Sequence, residues 1–219
     1  MRRYRAKKKK YSAQRMTRSV APKLSTKDPA VRQRRCRTNS REVDDATLEK
    51  DGWQVFRKQW QPKEAKSVAS SMRRICNRYK GSRDHRLRFD KRRLAIPVAE
   101  FPPRVGKAAI EMTNSLFKAL DLSGKIVKRN IVGIVSWTGS RRQDDHVDTQ
   151  DRTAFSVLHI MSQRELCIGR TKITLDARDV VVMKGGVCHA GAEHTYKNSS
   201  MLIHVPVGYD EQFTAVCSK

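Results

Sequence analysis

No segment of this 219-residue chain approaches the ~20 consecutive apolar residues that a bilayer-crossing helix needs, so the sequence does not read as membrane-spanning. No apolar run follows the basic start either, and no secretory leader is expected. Cysteine is sparse and poorly arranged for cross-linking. Cys36, Cys76, Cys167, Cys188 and Cys217 are odd in number and include no CxxC pair. This argues against a disulfide framework and a zinc knuckle, and for a reducing, intracellular compartment. Cys188 is expected to be a buried structural thiol, pointing away from the face used by its neighbour His189. Acidic residues are the other shortage: 22 Asp and Glu stand against 47 Lys and Arg, a net charge of +25. Such an excess implies a polyanionic partner, nucleic acid ahead of an anionic membrane surface, because each neutralised phosphate releases counterions.

The charge is unevenly spread. Residues 1–41 carry 16 Lys or Arg and one acid, Asp28. With few large apolar side chains, this stretch cannot offset its ordering entropy by burial. Residues 1–45 are therefore read as a disordered basic arm, and 46–219 as one folded domain. Lys7, Lys8, Lys9 and Lys10 form a run suited to nuclear import or RNA contact, and Arg34 and Arg35 extend the basic surface. A nuclear location is the first expectation. An organelle is the second, since an acid-poor, Arg-rich start also fits a transit peptide. A second basic stretch, 83–93, places Arg86, Arg88, Arg92 and Arg93 around Phe89 and is read as a loop. Cations beside an aromatic suit single-stranded nucleic acid, where bases stack and phosphates pair.

Past the arm, Trp53-Gln54-Val55-Phe56 reads as a short strand. Pro62 suits the first turn of a helix. Ala65, Val68, Ala69, Met72, Ile75, Cys76 and Tyr79 then recur at three- and four-residue steps, one apolar helix face that Gly81 is placed to end. Pro102 and Pro103 open a second helix with the stripe Val105, Ala108, Ala109, Met112, Leu116 and Leu120, which Gly124 should end. The pattern then turns to β, with strands expected over 126–137, 154–161, 165–168, 171–175, 179–183 and 201–207. Two helices followed by many short strands imply an α+β domain built on a β-sandwich or barrel.

Within the β-rich part, His146-Val147-Asp148 is followed, 41 residues after Asp148, by His189. Residues i and i+2 of a strand share a face, so His146 and Asp148 can hold one ion, with His189 closing the triangle from a later strand. Two imidazoles and one carboxylate form the facial set that holds Fe(II) and leaves other positions open.

Three segments together resemble the Fe(II)- and 2-oxoglutarate-dependent dioxygenases, which are built on a double-stranded β-helix, or jelly roll. Leu48 to Phe56, leading into Pro62-Lys63-Glu64-Ala65, is similar to that family's opening strand and helix. Trp137-Thr138-Gly139, then Gln143 to Asp148, then Phe155-Ser156-Val157-Leu158 resembles its first metal strand and the strand after it. Asp179 to Met183, then Gly186-Val187-Cys188-His189-Ala190-Gly191, resembles the strand and turn that deliver the distal histidine. The resemblance implies a jelly roll with flanking N-terminal helices. It also implies Fe(II) bound by His146, Asp148 and His189, 2-oxoglutarate as cosubstrate, and hydroxylation or demethylation of a substrate. The family pairs the far carboxylate of 2-oxoglutarate with an Arg or Lys shortly after the distal histidine. Here that region reads Asn198-Ser199-Ser200-Met201. Lys197, or Arg170 or Lys172 from a preceding strand, is the candidate replacement.

Rival readings stand beside this one. A basic arm on a jelly roll also describes a non-enzymatic RNA-binding structural protein, capsid-like or ribosome-associated. A cupin with other chemistry ranks last, because its first motif carries more histidines. His159, His194 and His204 are expected to be core or surface histidines. Asp144 and Asp145 are read as a solvated turn, and Gly185-Gly186 as a tight turn.

Overall fold

A computed structural model of the chain describes residues 37–38, 46–79, 88–90 and 92–209. Lys7, Lys8, Lys9, Lys10, Arg34, Arg35 and Arg86 lie outside the described residues, as does the expected arm apart from Arg37–Thr38. That pair forms β1, which runs parallel to β8 (Thr171–Leu175) at the edge of a four-stranded sheet. The remaining order is β8, β7 (Arg164–Ile168), β10 (His189–Gly191). The larger sheet runs β2 (Trp53–Phe56), β9 (Val180–Lys184), β6 (Phe155–Ile160), β11 (Ser200–Val207), β5 (Val132–Ser136), β4 (Arg93–Pro97), β3 (Arg88–Asp90), antiparallel throughout. The two sheets form a jelly-roll sandwich, with helices α1 (Pro62–Tyr79) and α2 (Pro103–Ala119) flanking the larger one.

The strands read as unbroken apolar runs because the larger sheet is covered on both faces. In β9, Val180 and Val182 join the core shared with α1 and α2, whereas Val181 and Met183 join the core between the sheets. In β11, Met201, Ile203, Val205 and Val207 face the helices, and Leu202, His204 and Pro206 face a cavity between the sheets. Each fully buried aliphatic side chain contributes ~1.5–3 kcal/mol, so these rows hold both layers. The helix stripes pack as read: Ala65, Val68, Met72, Ile75 and Cys76 of α1, and Val105, Ala109 and Leu116 of α2, are buried.

Three expectations need correction. The stretch 83–93 is not wholly a loop, since β3 and the start of β4 fall within it; β4 is held by pairing to β5, from Arg93 opposite Ser136 to Pro97 opposite Val132. The expected strand 126–137 shrinks to β5, because a 3-10 turn over Lys128–Asn130 interrupts it. Helix α2 stops at Ala119, followed by Asp121 at φ 52°, a left-handed conformation that Asp tolerates. Gly124 serves close packing instead: a Cβ there would stand 2.6 Å from Val207 Cγ1.

Candidate metal centre

The expected metal strand is reduced to one bridge. His146 lies outside any strand, but its amide donates to the His189 carbonyl at 3.0 Å, and the His189 amide donates back at 2.8 Å. This sets both imidazoles on one face, with ring centroids 4.5 Å apart. Nδ1 of His146 lies 2.9 Å from the Asp144 carbonyl, and Nδ1 of His189 lies 3.1 Å from the Val187 carbonyl. A carbonyl only accepts, so each Nδ1 carries the proton and each Nε2 presents its lone pair. His146 Nε2 stands 3.8 Å from Asp148 Oδ1, and His189 Nε2 stands 3.5 Å from Asp148 Oδ2. All three donor atoms lie within 4.8 Å of one another, so one ion ~2.0–2.2 Å from each can bridge them. Exposure falls across the set, from 39% for the His146 side chain to 19% for Asp148 and 7% for His189.

Asp148 is held from behind. Ser156 Oγ, on β6, donates to Asp148 Oδ2 at 2.6 Å. Ser156 has one proton, so the Tyr209 hydroxyl, 2.5 Å away, must be the donor to Ser156. Burial pushes the Asp148 carboxyl up. The surrounding imidazoles of His204, His189 and His146, with the Ser156 hydroxyl, outweigh it and hold the carboxyl below its usual range. Burial lowers His189, against the pull of the Asp148 carboxylate. Both shifts favour the metal-binding forms of these two groups at neutral pH: an ionised Asp148 carboxylate and a neutral His189 imidazole.

The cluster opens into a cavity of about 680 Å³. None of the three expected cosubstrate cations lines it. Lys197 and Arg170 are exposed, and Lys172 pairs with Glu165 at 2.7 Å. Three arginines line it: Arg141 and Arg142 are exposed, and Arg164 is only 4% exposed, with no hydrogen-bond partner at Nε and Nη1. Burial, and then the Arg93 guanidinium, push Arg164 down to about 9, which leaves it charged at neutral pH. The signal for it was in the strand: Arg164 is in phase with Leu166 and Ile168, which face the inter-sheet core, while Glu165 is turned outward to Lys172. Gly191 makes room for the guanidinium pair. A Cβ there would stand 2.6 Å from Gln143 Oε1, 3.2 Å from Arg164 Nη2 and 3.3 Å from Arg93 Nη1.

Arg93, expected on a nucleic-acid surface, is 1% exposed; Nε donates to Ser136 Oγ at 2.9 Å and Nη2 to the Ala192 carbonyl at 3.1 Å. Its register opposite Ser136 turns it inward, so it cannot reach a phosphate backbone. Arg92 is exposed and donates to the Thr138 carbonyl. For Arg88 the backbone alone is described, in β3. Cys188 is exposed, not the buried thiol expected. His194 and His159 are core histidines, as read. Asp145 pairs with Arg142 on the rim. His204 is the exception: it lines the cavity, with Nε2 3.6 Å from Asp148 Oδ2. Among the described residues no helix is long and apolar enough to cross a membrane.

No family model matches this sequence, and no curated protein matches it. Solved structures do. HygX from Streptomyces hygroscopicus, with nickel and 2-oxoglutarate bound, is similar at a TM-score of 0.56 and 10% identity, over 77% of this chain and 86% of that one. AviO1 from Streptomyces viridochromogenes Tue57 gives 0.61 at 12% identity, over 77% and 94%. A prolyl-4-hydroxylase from Pseudomonas putida gives 0.52 at 14% identity, over 77% and 97%. At these identities the likeness is one of fold: the chain has the jelly roll of these proteins, with two histidines and one aspartate gathered at a cavity between its sheets.

Proposed function

We propose that this chain is an Fe(II)- and 2-oxoglutarate-dependent oxygenase, a hydroxylase or demethylase. One observation carries the reading: a single cavity is lined both by a convergent His146, Asp148 and His189 set and by a buried guanidinium, Arg164, with two unpaired N–H groups. Two imidazole nitrogens and one carboxylate suit Fe(II) and leave positions open for a chelating cosubstrate. A buried charge without a partner is costly, and a carboxylate accepting from the Arg164 fork relieves that cost. Iron and 2-oxoglutarate, when bound, supply oxidative decarboxylation coupled to oxidation of a substrate C–H bond. The chain's own part is positional. The His146 and His189 rings are oriented by carbonyls, Asp148 is fixed by Ser156, and Arg164 anchors the far carboxylate from the smaller sheet. HygX, of similar fold, holds nickel and 2-oxoglutarate. A jelly roll serving only as an RNA-binding scaffold has no use for a buried cation facing a metal-ligand set.

The net charge of +25 supports a nucleic-acid partner, and with it a nuclear site of action, for the same chain. Its substrate is then nucleic acid or a protein bound to it.

Anaerobic titration tests the enzyme reading. The chain should take up one equivalent of Fe(II) and then one of 2-oxoglutarate, and on admission of oxygen should form succinate slowly without added substrate. H189A should lose the iron. A wild-type chain that takes up no iron overturns the reading.

A further inference from the structure

His204 carries a ring nitrogen that makes no hydrogen bond within the fold. Nε2 is buried and has no hydrogen-bond partner. It stands 3.6 Å from Asp148 Oδ2, beyond hydrogen-bond range. That oxygen is already served, since Ser156 Oγ donates to it at 2.6 Å. Nor is His204 part of the cluster whose donor atoms all lie within 4.8 Å of one another, which is His146, Asp148 and His189. A buried nitrogen left unpaired is destabilising, because it has given up water without a replacement. Leu202 and Pro206, the neighbours of His204 on the cavity face of β11, are apolar and incur no such cost. An imidazole at this position is therefore explained by a ligand that enters the cavity and pairs with it.

Of the side chains that line this cavity, two from opposite sheets carry buried nitrogens without hydrogen-bond partners: Arg164 from β7 in the smaller sheet and His204 from β11 in the larger. His204 is the one beside the metal-binding carboxylate. We propose that His204 is a positioning residue that donates Nε2–H to the carboxylate by which a 2-oxo acid binds next to the triad, while Arg164 holds the acid's other end. The proposal rests on the cosubstrate reading above and adds a second anchor to it. A neutral donor at this place steadies the carboxylate without competing for the metal. It favours acids that carry a carboxylate beside the keto group.

Binding to the nickel-loaded full-length chain, measured by calorimetry, separates the two anchors. The probes are 2-oxoglutarate, which has both carboxylates, and pyruvate, which lacks the far one. H204L should weaken both probes by about tenfold or more, the range for a lost hydrogen bond to a charged group, and should keep nickel affinity. H204Q, which retains an amide donor, should recover most of that loss. R164M should weaken 2-oxoglutarate and leave pyruvate unchanged. If H204L binds both acids as wild type does while R164M loses 2-oxoglutarate, this proposal fails and the cosubstrate reading stands. If H204L loses nickel in parallel with the acids, His204 is a metal ligand and the proposal is overturned. A wild-type chain that binds nickel but neither acid overturns both. Should H204L not fold, the zinc-loaded wild type still decides: its His204 imidazole N–H proton resonance should move on addition of 2-oxoglutarate, and an unmoved resonance overturns the proposal.

Discussion

His146 and His189 are joined backbone to backbone, the amide of each donating to the carbonyl of the other at 3.0 and 2.8 Å. In an antiparallel pair, directly opposed residues place their side chains on the same face. The metal ligands are thus brought together by main-chain pairing, and the carbonyls of Asp144 and Val187 then turn both rings so that Nε2 faces Asp148. Such a set is organised before any ion binds, and its weak point is the loop carboxylate that Ser156 steadies.

Ser156→Ala should therefore reduce metal affinity by about tenfold or more, the usual effect of removing a group that orients a ligand. The Tyr209 hydroxyl loses its acceptor in the same variant, so Tyr209→Phe should show a smaller effect in the same direction. Nickel or zinc titration checks both. An S156A chain with wild-type affinity would mean that Asp148 does not need the Ser156 bond.

Arg164→Met removes a buried charge and keeps a long side chain. Stability should hold or rise, because a buried cation without a partner is a liability to the empty fold. Affinity for 2-oxoglutarate should fall by about tenfold or more at unchanged metal affinity. Lys197→Ala, Arg170→Ala and Lys172→Ala should bind 2-oxoglutarate as wild type does, since none of the three lines the cavity. Gly191→Ala should reproduce part of the R164M defect, because its Cβ would press on both guanidiniums and Gln143.

His159 makes stability depend on pH. Trp60 Nε1 donates to its Nδ1 at 3.2 Å, so Nε2 bears the proton and faces Thr113 Oγ1 at 2.9 Å. Burial, with the His204 ring adding, pushes the folded-state value down to about 3. The unfolded chain therefore takes up this proton first. Stability is fully present above the unfolded value of ~6.5 and is lost as pH falls from there towards 3. Urea midpoints should show wild type losing at most ~1.4 kcal/mol per pH unit more than H159Q across that window. At pH 7.5 H159Q itself should be less stable by ~1–3 kcal/mol, because the Trp60 N–H loses its acceptor. Parallel pH profiles for the two chains would rule this out.

The basic arm should bind polyanions without sequence preference. Its 16 cations in residues 1–41 predict a steep fall of affinity with salt, with a slope near −0.7 per neutralised phosphate on single strands. Deleting 1–41 should flatten that slope and leave iron uptake intact. A slope unchanged by the deletion would assign the arm to targeting or to a protein partner.

What the sequence determined by itself is the class of architecture and the ligand set. Helix stripes at three- and four-residue steps and runs such as Val180-Val181-Val182-Met183 specify their own elements, because local periodicity decides what a segment can bury. His146, Asp148 and His189 are legible because their chemistry is narrow, although the strand expected to carry the first two is reduced to a single bridge. The tertiary structure alone decided His204, Ser156 and Arg93. Each lies on a strand, where a side chain faces one of two sides, and a shift of one residue in pairing register would reverse the choice. Arg93 reads as a surface cation within a basic stretch, and only its pairing opposite Ser136 turns it inward. The buried cation of the cavity comes from β7 and not from the strand after His189, because a cavity is closed by side chains from both sheets, and which strand supplies the charge is settled by how the sheets face each other.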